Sequence, residues 1–320
     1  MSIGAIPRGR LGLGCVTFGR EIPEDACFAL MDYAVEHGIT LFDTAEAYGG
    51  GQARSYRREQ LNVDDIREVS DEMHSSEKII GRWLKSRGSR DRITIVTKVT
   101  RDFRRAQVRA ALEASLKRLQ TDHVDIYLGH LFDAETPVDE TVAAFDAVRT
   151  AGLARRIGCG NYSGAQLRAA LDSSRMQGLR PFEVAELPCN LLQDSPDALP
   201  VARDHGLHVL AYSPLAAGFL TGKYSPDRAA FPKGSRFDVI PGHADIYFNE
   251  RNFRRVAQLQ KLAKQTGVPA EELAIAWVLQ ALPDSTVLVG ARTVAHLATA
   301  LNAQRQKFDA TWTTEIANWS

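Results

Sequence analysis

The chain has 320 residues, and its 39 Lys and Arg balance its 39 Asp and Glu, so the formal net charge at pH 7 is zero. That balance argues against nucleic-acid binding driven by bulk electrostatics, and no nucleic-acid partner is expected. Hydrophobic residues make up 44% and charged residues 24%, the composition of a soluble globular protein and not of a disordered or fibrous one. No stretch reaches ~18 uninterrupted apolar residues, and residues 1–10 lack the apolar run of a signal peptide, so a cytoplasmic protein without membrane association is expected. Cys15, Cys27, Cys159 and Cys189 are far apart and form neither a CxxC pair nor a His/Cys cluster at ligand spacing. Buried reduced thiols are the expectation, and no metal site.

Short β-rich runs alternate with helical patterns along nearly the whole chain. Strands are expected at 11–16, 40–43, 93–98, 124–130, 156–160, 182–187, 208–211 and 286–289. Between them, apolar residues at three- and four-residue spacing predict helices at 24–37, 76–86, 105–119, 138–150, 163–173 and 196–205, with a further helix from about Glu250. Strands separated by one helix each read as βαβ units with a parallel sheet and right-handed crossovers. Eight of them over this length predict a single-domain α/β fold spanning 1–320, a (β/α)₈ TIM barrel with long βα loops at its C-terminal mouth. The rival, an open doubly wound sheet, would carry G-x-G-x-x-G after its first strand, and Gly12, Gly14 and Gly19 have the wrong spacing for it.

Two segments break the rhythm. Residues 50–75 are polar, start within the run of three glycines from Gly49 to Gly51, and mix Arg54, Arg57, Arg58, Glu59, Asp64 and Asp65. They read as an inserted loop, either a lid or subunit contact or an unstructured surface excursion. Residues 215–249 are rich in Gly, Pro and aromatics. Phe132, Phe219, Tyr224, Phe231, Phe237, Tyr247 and Phe248 would give the mouth an aromatic surface able to cover a sugar or aryl carbonyl. A C-terminal tail, 303–320, carries Phe308, Trp312, Ile316 and Trp319 and is expected to cross that mouth; Trp83 and Trp277 fall in helical stretches and read as core or barrel-rim packing.

Three successive strand ends each place one ionisable side chain where the apolar residues stop: Asp43, Lys98 and His130, with Tyr48 five residues past Asp43. Alone, Asp43 reads as a loop cap and Lys98 as a solvated charge. Their joint placement supports an acid–base site. A phenol has an ordinary pKa of ~10. A neighbouring ammonium lowers it, and a carboxylate keeps that ammonium charged and oriented. Tyr48 would then pass a proton to or from a carbonyl oxygen oriented by His130, which is useful where a hydride donor faces the same carbon.

These residues resemble the catalytic tetrad of the aldo-keto reductases: residues 43–49 (DTAEAYG), the strand ending at Lys98, and His130. Further motifs follow in order. Residues 158–163 (GCGNYS) are similar to the segment after that family's fifth strand, 211–215 (AYSPL) and 218–224 (GFLTGKY) to its seventh-strand cofactor loop, and 289–292 (VGAR) to its eighth-strand phosphate turn. The resemblance spans residues 11–301 and implies an NAD(P)H-dependent oxidoreductase that interconverts an aldehyde or ketone and its alcohol, as a monomer or homo-oligomer. It implies Tyr48 as general acid/base, Asp43 and Lys98 as its tuning pair, and His130 as the group that orients the substrate. It likewise implies Asn161 and Glu186 at the nicotinamide carboxamide, Tyr212 stacked on the ring, and Ser213, Leu215 and Gly218 along the pyrophosphate. Lys223, Arg236, Gly290 and Arg292 would serve the phosphates. An arginine fork at position 292 suits a 2′-phosphate, which favours NADP(H) over NAD(H).

The chain departs from the family at three places. Gly160 stands where the family has serine, Glu186 where it has glutamine, and His296, Thr299 and Ala300 where it carries adenosine-side Arg or Gln and a Glu-Asn pair. A carboxylate accepts from an amide NH₂ but donates to an amide oxygen only when protonated. Two other readings stay open on these residues: a nicotinamide-binding regulatory protein of the same fold with little turnover, and a barrel phosphate enzyme without nicotinamide.

Overall fold

Strand residues two apart point to the same side of a sheet, and in this chain that period of two sorts apolar from ionisable groups. In the computed structural model, which describes residues 10–306 and 308–319, the order begins β1 (Leu11–Gly14), α1 (Glu24–Glu36), β2 (Leu41–Asp43), α2 (Gly50–Leu61), α3 (Ser75–Arg87) and β3 (Thr94–Val99). It continues α4 (Arg105–Leu119), β4 (Val124–Gly129), α5 (Val138–Thr150), β5 (Ala154–Gly160), α6 (Gly164–Met176), β6 (Val184–Pro188), α7 (Ala198–Asp204) and β7 (His208–Tyr212). Two single turns, α8 (Arg236–Val239) and α9 (Ala244–Tyr247), lead to α10 (Glu250–Thr266), α11 (Ala270–Ala281), β8 (Thr286–Gly290), α12 (Val294–Arg305) and α13 (Ala310–Ala317). Most of residues 1–10, where a leader was not expected, lie outside the described residues, as does Ser320 at the end of the tail.

All eight strands are parallel and close in sequence order, β1 pairing with both β2 and β8. The expected (β/α)₈ barrel is the fold. Its interior is a plug of Leu41, Val96, Ile126, Leu128, Val184, Leu210 and Leu288, with Tyr212 against it. Gly12 completes that layer by omission: a Cβ there would lie 2.8 Å from a Leu288 methyl and 2.9 Å from a Leu41 methyl. A second, larger core fills the space between strands and helices, where α4, for example, turns Val108, Leu112, Leu116 and Leu119 inward at helical spacing. Among the described residues, no helix is long and apolar enough to cross a membrane.

The polar segment 50–75 differs from the expected loop. It opens with a three-turn helix, α2, that has no apolar stripe and is fastened by an arginine. Arg57 is fully buried, forms a two-pronged ion pair with Glu68, and donates to the carbonyls of Asp65 (2.9 Å) and Val239 (2.8 Å). Arg67 adds a bond to the Asp238 carbonyl at 2.6 Å. The segment is thus clasped to α8 of the other irregular stretch.

The mouth aromatics also differ from expectation. Phe219, Tyr224, Phe237 and Tyr247 are each buried and stack on one another, with Phe231, Phe248 and Phe253 at the edge of the group. Phe219, Tyr224, Phe237 and Tyr247 thus form the loop's own core and offer substrate no surface. Ile316 and Trp319 of the tail join that cluster, and Arg255 ties the Trp319 carbonyl to that of Leu191, so the tail docks on the loops after β6 and β7. Trp83 is core and donates its N–H to Asp32 (2.8 Å), while Trp277 is half-buried between the two large clusters.

Candidate active site

Two residues past each apolar plug residue, on the same inward face and one layer nearer the mouth, stand the ionisable groups: Asp43 above Leu41, Lys98 above Val96, His130 above Leu128, Glu186 above Val184 and Tyr212 above Leu210. The pleat therefore brings to one place the residues that the chain spreads over 170 positions. On the adjacent strands β8 and β1 the same layer holds Gly290 and Gly14, which leaves that side of the mouth without side chains, while on β5 it holds Gly160, between His130 and Glu186.

Lys98 is the hub. Its ammonium is wholly buried, 2.5 Å from Asp43 Oδ1, 2.9 Å from the Thr44 carbonyl and 3.3 Å from Glu186 Oε2. Tyr48 reaches it from the turn after β2, with Lys98 Nζ 5.0 Å from the ring centroid and the His130 ring edge-on at 5.5 Å. That turn is held from several sides. The backbone N–H of Tyr48 donates to Ala45 O at 3.0 Å, Ser76 N–H donates to Tyr48 O at 3.3 Å, and Glu46 accepts from Thr100 N–H at 2.8 Å. Thr44 and Ser76 share a hydroxyl hydrogen bond of 2.7 Å, and Ser76 also donates to Cys15 O.

Electrostatics correct one expectation. Burial raises the Tyr48 phenol pKa, Lys98 opposes this, and burial wins. The resting phenol is a protonated acid, with the ammonium limiting the rise and not reversing it. Burial, assisted by the Lys98 charge, pushes His130 down to about 3, so its imidazole is neutral. Burial raises Glu186 to about 8, with the Asp43 charge adding to the rise and Lys98 opposing it. Lys98, facing two carboxyls, stays charged.

The residues carried over for a cofactor fall into three groups. Asn161, in the left-handed region at φ 60°, accepts from the Tyr212 hydroxyl at 2.6 Å and donates to the His130 carbonyl at 2.9 Å. It therefore braces Tyr212 and the β4 end as well as facing the mouth. In the loop after β7, Ser213, Ala216, Ala217 and Gly218 all have positive φ, between 49° and 84°, beside the half-buried Leu215. Lys223 folds back over this arc, with its Nζ 3.0 Å from where a Gly218 Cβ would stand. Arg292, after β8 and the open Gly290, donates to the Gly234 carbonyl at 2.7 Å, and burial, with the Arg292 charge adding to it, lowers the pKa values of Lys223 and His296. Arg236 points elsewhere: its Nε donates to His243 at 3.2 Å and its fork lies 3.6 Å from Glu21.

Two participants escaped the sequence reading. Asn190, buried after β6, donates to the Ser213 carbonyl at 3.1 Å and so holds the strained β7 loop. The pair Arg20–Glu21, after β1, receives Arg236. Neither belongs to a local motif; only the position of Asn190 directly after a strand end hinted at a role.

The sequence pattern of the Aldo/keto reductase family matches residues 10–318. The chain is 31% identical over 316 residues to the uncharacterized oxidoreductase YrpG of Bacillus subtilis (strain 168), covering 94% of this chain and 88% of that protein. It is 30% identical over 312 residues to the aldo-keto reductase YhdN of the same organism, covering 91% and 84%. The solved structure of the glycerol dehydrogenase AKR11B4 from Gluconobacter oxydans superposes with a TM-score of 0.77 at 25% identity, covering 99% of this chain and 93% of that one. With the barrel and the mouth residues in place, the chain belongs to the aldo/keto reductase family and is an oxidoreductase of carbonyl and alcohol groups.

Proposed function

We propose that the chain transfers hydride between a nicotinamide cofactor, NADP(H) in preference to NAD(H), and a small carbonyl or alcohol, with Tyr48 as the general acid/base. The observation that carries this is the meeting of Tyr48, Lys98, Asp43 and His130 at one point of the mouth.

The residues present suit a dinucleotide. The loop after β7, with Ser213, Ala216, Ala217 and Gly218 left-handed, is the kind of irregular backbone that can present N–H groups to an anion. Lys223 and Arg292 supply cations at its rim, Tyr212 a flat aromatic face, and Asn161 and Glu186 polar atoms beside that face. A bound nicotinamide would supply or accept the hydride.

The chain's own residues handle the proton and the orientation. Tyr48, protonated at rest, donates from its hydroxyl to the carbonyl oxygen as negative charge grows there, and the Lys98 ammonium stabilises the phenolate left behind. Asp43 holds Lys98 in place. Neutral His130 has an unpartnered buried Nδ1 and, with one N–H to give, can direct a hydrogen bond to the same oxygen.

The test is Tyr48→Phe, assayed with NADPH and a panel of aldehydes and ketones. Turnover should fall roughly 10²- to 10⁴-fold while NADPH still quenches the protein's fluorescence; undiminished turnover would refute the assignment. Cofactor binding without turnover by the unaltered chain on any carbonyl would favour a regulatory role for the fold.

A further inference from the structure

The site holds one ammonium and two buried carboxyls. Asp43 and Glu186 are 4% and 3% exposed, and both face Lys98. Were both ionised, a net negative charge would lie in a buried layer, which is costly unless a proton or another cation joins it. Lys98 Nζ is 2.5 Å from Asp43 and also engages the Thr44 carbonyl, while Glu186 Oε2 is the looser partner and has no well-formed hydrogen bond. Glu186 is therefore the carboxyl that holds the proton.

The place of Glu186 in the barrel gives this proton a use. Glu186 lies between two groups of residues: the acid–base cluster of Lys98, Asp43 and Tyr48 on one side, and Tyr212 with Asn161 on the other. Asn161 N–H donates to the Glu186 carbonyl at 3.0 Å, and the charge of a Glu186 carboxylate is felt by both Tyr48 and Tyr212. From β5 the facing residue is Gly160, which has no side chain. The titratable groups that bear on it are thus Lys98, Asp43, Tyr48 and Tyr212.

Resting on the nicotinamide reading above, we propose that Glu186 links the redox state of the cofactor to a proton: its carboxyl stays protonated beside the neutral reduced ring and releases that proton to solvent when the cationic oxidised ring occupies the site. Neutral, the carboxyl resembles a carboxamide, with one donor and one acceptor. Ionised, it places a negative charge in a low-dielectric pocket opposite a positive ring. Linkage then requires that the oxidised cofactor bind more tightly as pH rises, because binding and deprotonation favour each other. Burial holding Glu186 near 8 puts this coupling in the neutral range. The direction favours alcohol oxidation at alkaline pH.

The experiment is titration of the full chain with NADP⁺ and with NADPH from pH 6 to 9, followed by fluorescence and by calorimetry in two buffers of different ionisation enthalpy. Both cofactors carry the same 2′-phosphate, so the ratio of their Kd values isolates the ring. The NADP⁺/NADPH Kd ratio should fall by up to about tenfold per pH unit below pH 8 and level off above it. NADP⁺ binding at pH 7 should release up to about one proton and NADPH binding none. Glu186→Gln, close to the same shape, should bind both cofactors with a ratio independent of pH. A pH-independent ratio in the unaltered chain, or an equal slope in the Gln variant, overturns the role of Glu186 and leaves the proposed function standing. Failure of either cofactor to bind overturns both.

Discussion

Lys98 Nζ lies 2.5 Å from Asp43 Oδ1 with both side chains shut off from solvent, at the level of the barrel where the apolar plug ends. This pair is the electrostatic floor of the site. The ammonium offsets the burial of Asp43, limits the rise in the Tyr48 pKa, and adds to the burial that keeps His130 neutral.

Removing the cation should therefore destabilise the fold in a pH-dependent way. In Lys98→Met two buried carboxyls face each other with nothing positive between them. Their folded pKa values, already raised with Lys98 present, rise further above the unfolded values. Such groups stabilise below the unfolded pKa, and the contribution is lost as pH rises toward the folded one. Urea unfolding should show the variant nearest to the unaltered chain at about pH 4.5 and roughly 3–5 kcal/mol weaker by pH 8, the range for breaking a buried pair. A deficit that does not change with pH would contradict the burial of the pair.

His130 should carry no charge in the working range. With its pKa pushed down to about 3 by burial and by Lys98, the imidazole binds no proton between pH 5 and 8. It can only hydrogen-bond, and a His ionisation should not shape the rate profile there. The ring-proton NMR shift of His130 should stay flat over that range, whereas a sigmoid centred near 6.5 would show an exposed, protonatable ring. Because the folded pKa lies below the unfolded one, this group also lowers stability as pH falls below about 6.5.

The barrel was legible because its determinants are local. A plug residue, a spacer and a polar group recur as Leu41 to Asp43, Val96 to Lys98 and Leu128 to His130, so both the strands and the convergence of their ends follow from period two. The rest depended on distant partners. Arg57 belongs to a helix with no apolar stripe, and its burial rests on Glu68 and on the Val239 carbonyl, 182 residues away. The aromatic content of 215–249 was evident, but whether those rings face ligand or each other is set by how the loop folds onto α10. Glu186 stood out as an unusual residue, while its approach to Lys98 is made across the barrel and leaves no trace in spacing. Arg236 looked free for phosphate because Glu21 and His243 are remote or unpatterned neighbours.

Arg57 supplies a test of the clasp. Arg57→Met leaves Glu68 buried without a cation and removes the bond to Val239 O, and should destabilise the chain by about 3–5 kcal/mol. The double variant Arg57→Met, Glu68→Met should recover much of that loss, since neither charge is then stranded. Urea midpoints at constant slope provide the comparison. If the single and double variants lose the same amount, the pair is not buried as described.

The last prediction concerns the choice between cofactors. Arg292 after β8 and Lys223 after β7 are neighbouring cations: burial first and then the Arg292 charge lower the pKa of Lys223 and of His296, and Glu271 opposes this. Arg292 is anchored through its hydrogen bond to Gly234 O. A dianionic 2′-phosphate would relieve the repulsion, and a ribose hydroxyl would not. A charge-assisted hydrogen bond contributes about 1.5–3 kcal/mol, or roughly 10- to 100-fold in Kd. Arg292→Ser should weaken NADPH binding by that factor and flatten its dependence on salt, while leaving NADH binding nearly unchanged. Equal losses for the two cofactors would place Arg292 on the shared pyrophosphate or adenine, and the preference for NADP(H) would then have to come from Lys223 or be given up.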